Sequence, residues 1–156
     1  MAKSFVQHRL SGFVAMTEDD PYWQGLEEGL LQFPKCPGCG MWRWESMGGT
    51  FGAPLLRCPQ CGTWDMDWTE VAMEGTVYSW TTTNQVFHGV EGRSGALPYT
   101  TLNVEIDVPE DWKPRVLGVL KGSAEKLRVG ARVVGSIDPA SAESNFYPCL
   151  RWAIAA

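Results

Sequence analysis

The strongest constraint in this sequence of 156 residues is a repeated cysteine pattern, CPGCG at positions 36–40 and CPQCG at positions 58–62. Two residues separate the cysteines within each pair and 18 residues separate the pairs, which is within the range of a four-cysteine zinc site. Each CxxC turn directs two thiolates at one point, and two such turns complete a tetrahedron with Zn–S distances of about 2.3 Å. We predict one structural zinc ion per chain, bound by Cys36, Cys39, Cys58 and Cys61.

The predicted role of this metal is structural, because four protein thiolates fill the coordination of zinc and leave no position for water. Such a site contributes about 10–16 kcal/mol of folding free energy at neutral pH, enough to hold a small ribbon with little core. Gly40 and Gly62 are expected to adopt positive φ and to leave backbone N–H groups for hydrogen bonds to the sulfurs. We call each CPxCG turn a knuckle. Similar knuckles occur in iron-binding rubredoxins, so a redox ribbon is the alternative.

The rest of the sequence predicts a mainly β chain that begins with one helix. Residues 19–31, DDPYWQGLEEGLL, have a helical pattern with Tyr22, Leu26 and Leu30 on one face. Five later segments carry alternating, β-branched or aromatic residues between turn-forming residues. These segments are TVYSWTTTNQVF, YTTLNVEID, RVLGVLKG, ARVVGSID and FYPCLRWAIA. Glycines at positions 75, 118, 122, 130 and 135 permit the bending that a closed barrel of five strands needs.

We therefore expect an N-terminal helical segment over residues 1–34, a rubredoxin-like zinc ribbon over residues 35–68 and a five-stranded OB-like barrel over residues 69–156. The first residues lack the compact apolar stretch of a secretion signal, and no run reaches the roughly 18 apolar residues of a membrane helix. The expected location is the cytoplasm, without membrane attachment. In that compartment paired thiols bind metals more often than they form disulfides.

The charge distribution disfavours nucleic-acid binding, although zinc ribbons and OB barrels serve that function in other proteins. The net charge is −5, with 10 acidic and 5 basic residues in positions 1–75 and 8 of each in positions 76–156. Binding to phosphates depends on Lys and Arg, and neither half is basic. Eight tryptophans are more than a small core easily buries, so some are expected to face a partner or a ligand.

The residues outside the knuckles show no catalytic motif. Cys149 lies in a strand-like segment and is interpreted as a buried apolar thiol. His88 precedes a glycine-rich loop and is interpreted as a hydrogen-bonded loop residue. Asp107, Glu110 and Asp111 surround a turn bounded by prolines and are interpreted as part of a solvated loop. The chain is therefore expected to carry no catalytic residue of its own.

The segment between the knuckles is a candidate contact surface. Trp42, Arg43 and Trp44 lie in the sequence MWRW, where the two indoles would share one face of a strand. These indoles either cover the interior of the ribbon or face a partner or an elongated apolar ligand.

The order of these features resembles a family of acyl-CoA-associated proteins that combine a zinc ribbon with an OB fold and accompany thiolases and thiolase-like enzymes. The resemblance covers nearly the whole chain, and the gap between the cysteine pairs is longer than is usual in the family, with SMGGTFGA as the apparent insertion. It rests on the order of PYWQGLEEGLL, CPGCG, CPQCG, MDWTEVAMEGTVYSWTTT, VFH, PYTTLNVEI, RVLGVLKG and LRVGARV.

The resemblance implies a non-catalytic subunit of a hetero-oligomer, in which a thiolase-like partner carries the reactive cysteine and this chain helps to form the acyl-CoA site. It implies zinc at the four cysteines, and it places Phe87, His88, Pro98 and Tyr99 near the loop that follows the first barrel strands. The reaction on the partner would be acyl transfer by thiolytic cleavage of a β-ketoacyl-CoA. The many aromatic residues favour a bulky or aromatic substrate such as benzoylsuccinyl-CoA. An aldolase or hydratase partner is the alternative within the same family.

Overall fold

The structure is a computed structural model, and it describes residues 20–43, 57–64, 66–86, 97–141 and 148–155. Its elements in chain order are α1 (Asp20–Glu28), β1 (Leu31–Lys35), β2 (Asp67–Val71), β3 (Glu74–Thr83), β4 (Tyr99–Ile106), β5 (Arg115–Leu120), β6 (Arg132–Asp138) and β7 (Cys149–Ile154). No helix in these ranges is long and apolar enough to cross a membrane.

The chain forms two compact units. The first, which we call the ribbon unit, comprises Met1–Val71 together with Pro109–Pro114. The second, which we call the barrel unit, comprises Ala72–Val108 together with Arg115–Ala156. The chain therefore passes between the two units three times, and the connection between β4 and β5 contributes to the ribbon unit.

Helix α1 lies in the ribbon unit and buries one face, as its sequence pattern predicts. Tyr22 and Leu26 expose only 4% and 2% of their surface. The helix is shorter than the predicted segment 19–31, since it ends at Glu28. The physical reason is Gly29, which adopts a φ of 82° and turns the chain so that Leu31 begins a strand.

The ribbon unit also contains a two-stranded antiparallel sheet of β1 and β2. Its buried side chains include Leu31 and Phe33, which have no exposed surface. The sequence pattern does not predict this sheet, because β1 is only five residues long and contains Pro34, a residue that is rare within strands. The two predicted boundaries, after residues 34 and 68, fall inside β1 and β2.

The barrel unit contains a closed five-stranded barrel in the order β3-β4-β5-β7-β6, with β6 pairing back to β3. All pairs are antiparallel except β5 with β7, which run parallel. This barrel confirms the predicted mainly β, OB-like fold, and each of the five predicted segments contains a strand. Four of the five strands end earlier than the sequence patterns, as in β3, which stops at Thr83 rather than residue 87, whereas β6 ends with its pattern at Asp138.

Trp152 on β7 is the largest side chain in the barrel core and has no exposed surface. Its indole lies against two glycines on neighbouring strands. A Cβ atom at Gly118 would stand 2.6 Å from the Trp152 ring, and one at Gly135 would stand 2.9 Å from it. These two glycines therefore provide the space that the indole fills, in addition to the bending expected from the sequence.

We expect Gly118→Ala to lower the free energy of unfolding by about 1–3 kcal/mol, because the added methyl group overpacks the core against Trp152. Leu117→Ala is the matched control in the same strand, since Leu117 is 56% exposed and its truncation should change stability by less than about 0.5 kcal/mol. Denaturant unfolding of both variants measures the difference. Wild-type stability of Gly118→Ala would show that the indole is not packed as described.

Candidate metal centre

Four cysteine sulfurs converge in the ribbon unit, and they all lie within 4.8 Å of one another. The Sγ atoms of Cys36 and Cys61 are 3.5 Å apart, and those of Cys39 and Cys58 are 3.6 Å apart. A tetrahedral zinc ion with Zn–S bonds of about 2.3 Å requires sulfurs about 3.8 Å apart. The cluster therefore has the donor set and the spacing for one zinc ion, as the predicted zinc ribbon requires.

The two knuckles have nearly identical backbones. Gly40 and Gly62 adopt φ values of 74° and 76°, as expected from the sequence. Their N–H groups donate to the carbonyl oxygens of Cys36 and Cys58, each at 2.9 Å. These two amides close the turns, and other backbone groups, including those of Met41 and Thr63, hydrogen-bond the sulfurs, as the sequence predicts.

The sulfurs accept hydrogen bonds from the residues that follow the glycines. The hydroxyl of Thr63 lies 3.2 Å from the Cys61 sulfur, and this side chain together with its backbone lowers the pKa of Cys61 to about 6. The backbone of Met41 likewise lowers the pKa of Cys39. Desolvation and the neighbouring thiols outweigh this effect and raise the pKa of Cys39 to about 12. Without a metal, the four thiols therefore do not all ionise at the same pH. A divalent cation would remove this difference, because it stabilises all four sulfurs as thiolates.

The similarity of the knuckles extends beyond CPxCG. Each has a basic residue directly before its first cysteine and a tryptophan three residues after its second, so that KCPGCGMW at 35–42 matches RCPQCGTW at 57–64. The Lys35 ammonium lies 4.7 Å from the centre of the Trp42 ring. The Arg57 guanidinium lies 5.3 Å from that of Trp64. Both pairs have cation–π geometry. The cysteine spacing alone does not reveal them, because their signal is the basic residue before each first cysteine and the tryptophan three residues after each second one.

Glu110 binds the first of these two pairs. One carboxylate oxygen lies 2.5 Å from Lys35 Nζ, and the other accepts the indole N–H of Trp42 at 2.7 Å. The hydrogen bond from Lys35, followed by that from Trp42, lowers the pKa of Glu110 below its ordinary value. The interpretation of Glu110 as part of a solvated loop was therefore wrong. Trp42 exposes only 5% of its surface, so its indole covers the interior of the ribbon unit.

Two of the other predicted contact residues, Arg43 and Tyr99, lie among the described residues. Arg43 is half-buried, and its backbone N–H donates to the Pro34 carbonyl at 2.8 Å. Tyr99 is half-buried at the start of β4. Their contact roles stay predictions, and the remaining candidates, Trp44, Phe87 and His88, lie outside the described residues. Cys149 is 9% exposed on β7, which confirms its interpretation as a buried thiol.

The fold and the cysteine cluster together define a four-cysteine ribbon protein with an OB-fold barrel. Residues 68–137 match the family model described as the C-terminal OB-fold domain of ChsH2. The match supports the resemblance at the OB fold, and the cysteine cluster is consistent with its zinc ribbon. The sequence matches no curated protein.

Two solved structures have a similar fold. One is the Ltp2-ChsH2(DUF35) aldolase, with a TM-score of 0.69 and 23% identity over 92% of this chain and 99% of that chain. The other is a DUF35-family protein of unknown function from Sulfolobus solfataricus, with a TM-score of 0.50 and 19% identity over 96% of this chain and 92% of that chain. At these identities the similarity concerns the fold.

The purified protein is expected to contain one equivalent of zinc and to be colourless. Cys36→Ser should lose the metal and unfold the ribbon unit, because this buried sulfur is one of four ligands. Cys149→Ala, which changes the fifth cysteine, should keep a full equivalent. Elemental analysis and visible absorption measure both properties. Iron with visible absorption would instead support the redox alternative.

Glu110→Gln is expected to lower the free energy of unfolding at pH 7 by about 1–3 kcal/mol, because it removes the charged partner of Lys35. The folded pKa of Glu110 lies below the unfolded value, so its stabilisation is present above about pH 4.3 and is lost as pH falls through the folded pKa. The variant should therefore lose less stability than the wild type on acidification.

The control for this prediction is Asp111→Asn, which changes an exposed neighbouring carboxylate. Thermal unfolding between pH 3 and pH 7 compares the three proteins. Equal pH dependence of Glu110→Gln and the wild type would contradict a stabilising role of the Glu110 carboxylate.

Proposed function

We propose that this protein is a non-catalytic, zinc-binding accessory subunit of an acyl-CoA-processing enzyme complex. It binds a thiolase-like catalytic subunit in a hetero-oligomer and helps to form the site for the coenzyme A thioester. The partner supplies the reactive cysteine. The observation that carries this proposal is the combination of a four-cysteine ribbon with a barrel of the ChsH2 C-terminal type.

The state of the cysteines supports a non-catalytic role. The four clustered sulfurs are the natural ligands of a closed metal site, and a metal with four protein ligands has no position for a substrate. Cys149 is buried in a barrel strand, where a thiol has little access to a thioester. Among the described residues, no other side chain is a thiol.

Exposed aromatic side chains support association with another protein. Tyr78, Trp64, Trp80 and Trp112 expose between 42% and 68% of their surface. Protein interfaces are enriched in Tyr, Trp and Arg, because these side chains bury much area at low entropic cost. The expectation that some tryptophans face a partner or a ligand is consistent with these exposures.

The chemistry that we propose for the complex is thiolytic cleavage of a β-ketoacyl-CoA, with a bulky or aromatic acyl group such as benzoylsuccinyl-CoA. A cysteine thiolate of the partner would attack the ketone carbon, and cleavage of the C–C bond would leave an acyl-cysteine thioester and expel the remaining acyl-CoA as an enolate, which is then protonated. Free coenzyme A would attack this thioester, take the acyl group and release the cysteine thiolate. The second candidate is retro-aldol cleavage of a β-hydroxyacyl-CoA. The fold similarity to the Ltp2-ChsH2(DUF35) aldolase favours this second candidate. A hydratase partner is the remaining alternative.

The chain expressed alone is expected to cleave neither type of thioester, whereas its complex with the partner should cleave one of them. Purification of the tagged chain from its native cells, followed by identification of bound proteins, provides the partner. Assays with benzoylsuccinyl-CoA plus coenzyme A, and with a β-hydroxyacyl-CoA, then separate the two chemistries. Cys149→Ala in the complex is the control and should retain activity.

Turnover of a thioester by the isolated chain would contradict this function. So would strong, salt-sensitive binding to single-stranded DNA without any acyl-CoA enzyme among the bound proteins, since that result would support the nucleic-acid alternative.

A further inference from the structure

The two knuckles have similar backbones, but among the described residues an acidic partner contacts only the first. In the first copy, Lys35 and Trp42 stack together and both bind the carboxylate of Glu110. In the second copy, Arg57 and Trp64 stack in the equivalent positions. Among the described residues, no carboxylate contacts either of them.

The first copy shows what such a pair binds. The ammonium of Lys35 and the indole N–H of Trp42 meet the two oxygens of one carboxylate, at 2.5 and 2.7 Å. A cation and a neutral N–H donor placed side by side match a carboxylate, which has one negative charge and two acceptor oxygens. The pair therefore selects an acid by charge and by hydrogen bonding together.

The second copy has the same kinds of donor and is exposed. Arg57 Nε donates to the Gly62 carbonyl at 3.1 Å, which fixes the guanidinium on the knuckle. With Nε engaged, the two terminal nitrogens of the guanidinium still carry four N–H donors. Trp64 is 62% exposed, in contrast to 5% for Trp42. A ligand from outside the chain therefore has access to this pair.

We propose that Arg57 and Trp64 form a carboxylate-binding site for a Glu or Asp side chain of the partner subunit. This inference rests on the proposed function for the identity of the partner. The partner's carboxylate takes the place that Glu110 takes in the first knuckle. The zinc-bound ribbon thereby presents one knuckle to its own chain and the other to the partner.

A protein carboxylate fits this site better than a free one. An exposed ion pair contributes little free energy, whereas the same pair strengthens when a partner covers it and excludes water. Trp and Arg are also the residues that most often dominate binding energy at protein interfaces. A second copy of this chain is a poor occupant, because each copy has a net charge of −5 and two copies repel each other.

The test measures the dissociation constant between the zinc-loaded chain and the identified catalytic subunit by calorimetry. Trp64→Phe keeps the ring and removes the N–H donor, and Arg57→Gln removes the charge. Each should weaken binding about tenfold or more while leaving the zinc content at one equivalent. The matched control is Lys113→Gln, which removes an exposed cation elsewhere in the ribbon unit and should change binding less than about threefold.

Charge reversal identifies the occupant directly. Arg57→Glu should abolish binding, and one Glu→Arg or Asp→Arg substitution on the partner should restore it. Wild-type affinity of both Trp64→Phe and Arg57→Gln would overturn this inference while the proposed function stands. Failure of the wild-type chain to bind any acyl-CoA enzyme would overturn the proposed function instead. Dimerisation of the chain alone that Arg57→Glu abolishes would show that a second copy is the occupant.

Discussion

The convergence of four cysteine sulfurs is the constraint on which the ribbon unit depends. In the described part of this unit, the regular structure is one helix of nine residues and two strands of five residues, which form only a small core. The four sulfurs lie within 4.8 Å of one another, and a cation bound between them would fix both knuckles at once. The residues that flank the knuckles, including both cation–aromatic pairs, take their positions from that fixed point.

Sequence patterns predicted the barrel and the cysteine cluster because both have strong local signals. Alternation over six to ten residues marks each barrel strand, and the CxxC spacing marks each knuckle. Strands β1 and β2 have no such signal, since each has only five residues and β1 contains Pro34. The role of Glu110 was missed for a different reason. It lies 68 residues from Trp42 in the chain, and a carboxylate between prolines has the local pattern of a solvated loop.

Because the ribbon unit contains two similar knuckles, their two cation–aromatic pairs can be compared within one chain. Lys35 with Trp42 and Arg57 with Trp64 have the same sequence spacing and similar stacking distances of 4.7 and 5.3 Å. They differ in burial, since Trp42 is 5% and Trp64 is 62% exposed, and among the described residues only the first pair contacts a carboxylate. Both knuckles contribute to the same cysteine cluster, so the difference reflects what surrounds each knuckle.

The connection between β4 and β5 has a consequence for how such proteins change over evolutionary time. Its six residues, Pro109–Pro114, belong to the ribbon unit although both flanking strands belong to the barrel. A recombination event that replaced only the first 71 residues would keep the original Pro109–Pro114 segment. The new residues at the positions of Lys35 and Trp42 would then have to bind a Glu110 that had not evolved with them. Selection therefore favours inheritance of the ribbon unit and the barrel unit together, although each unit is compact.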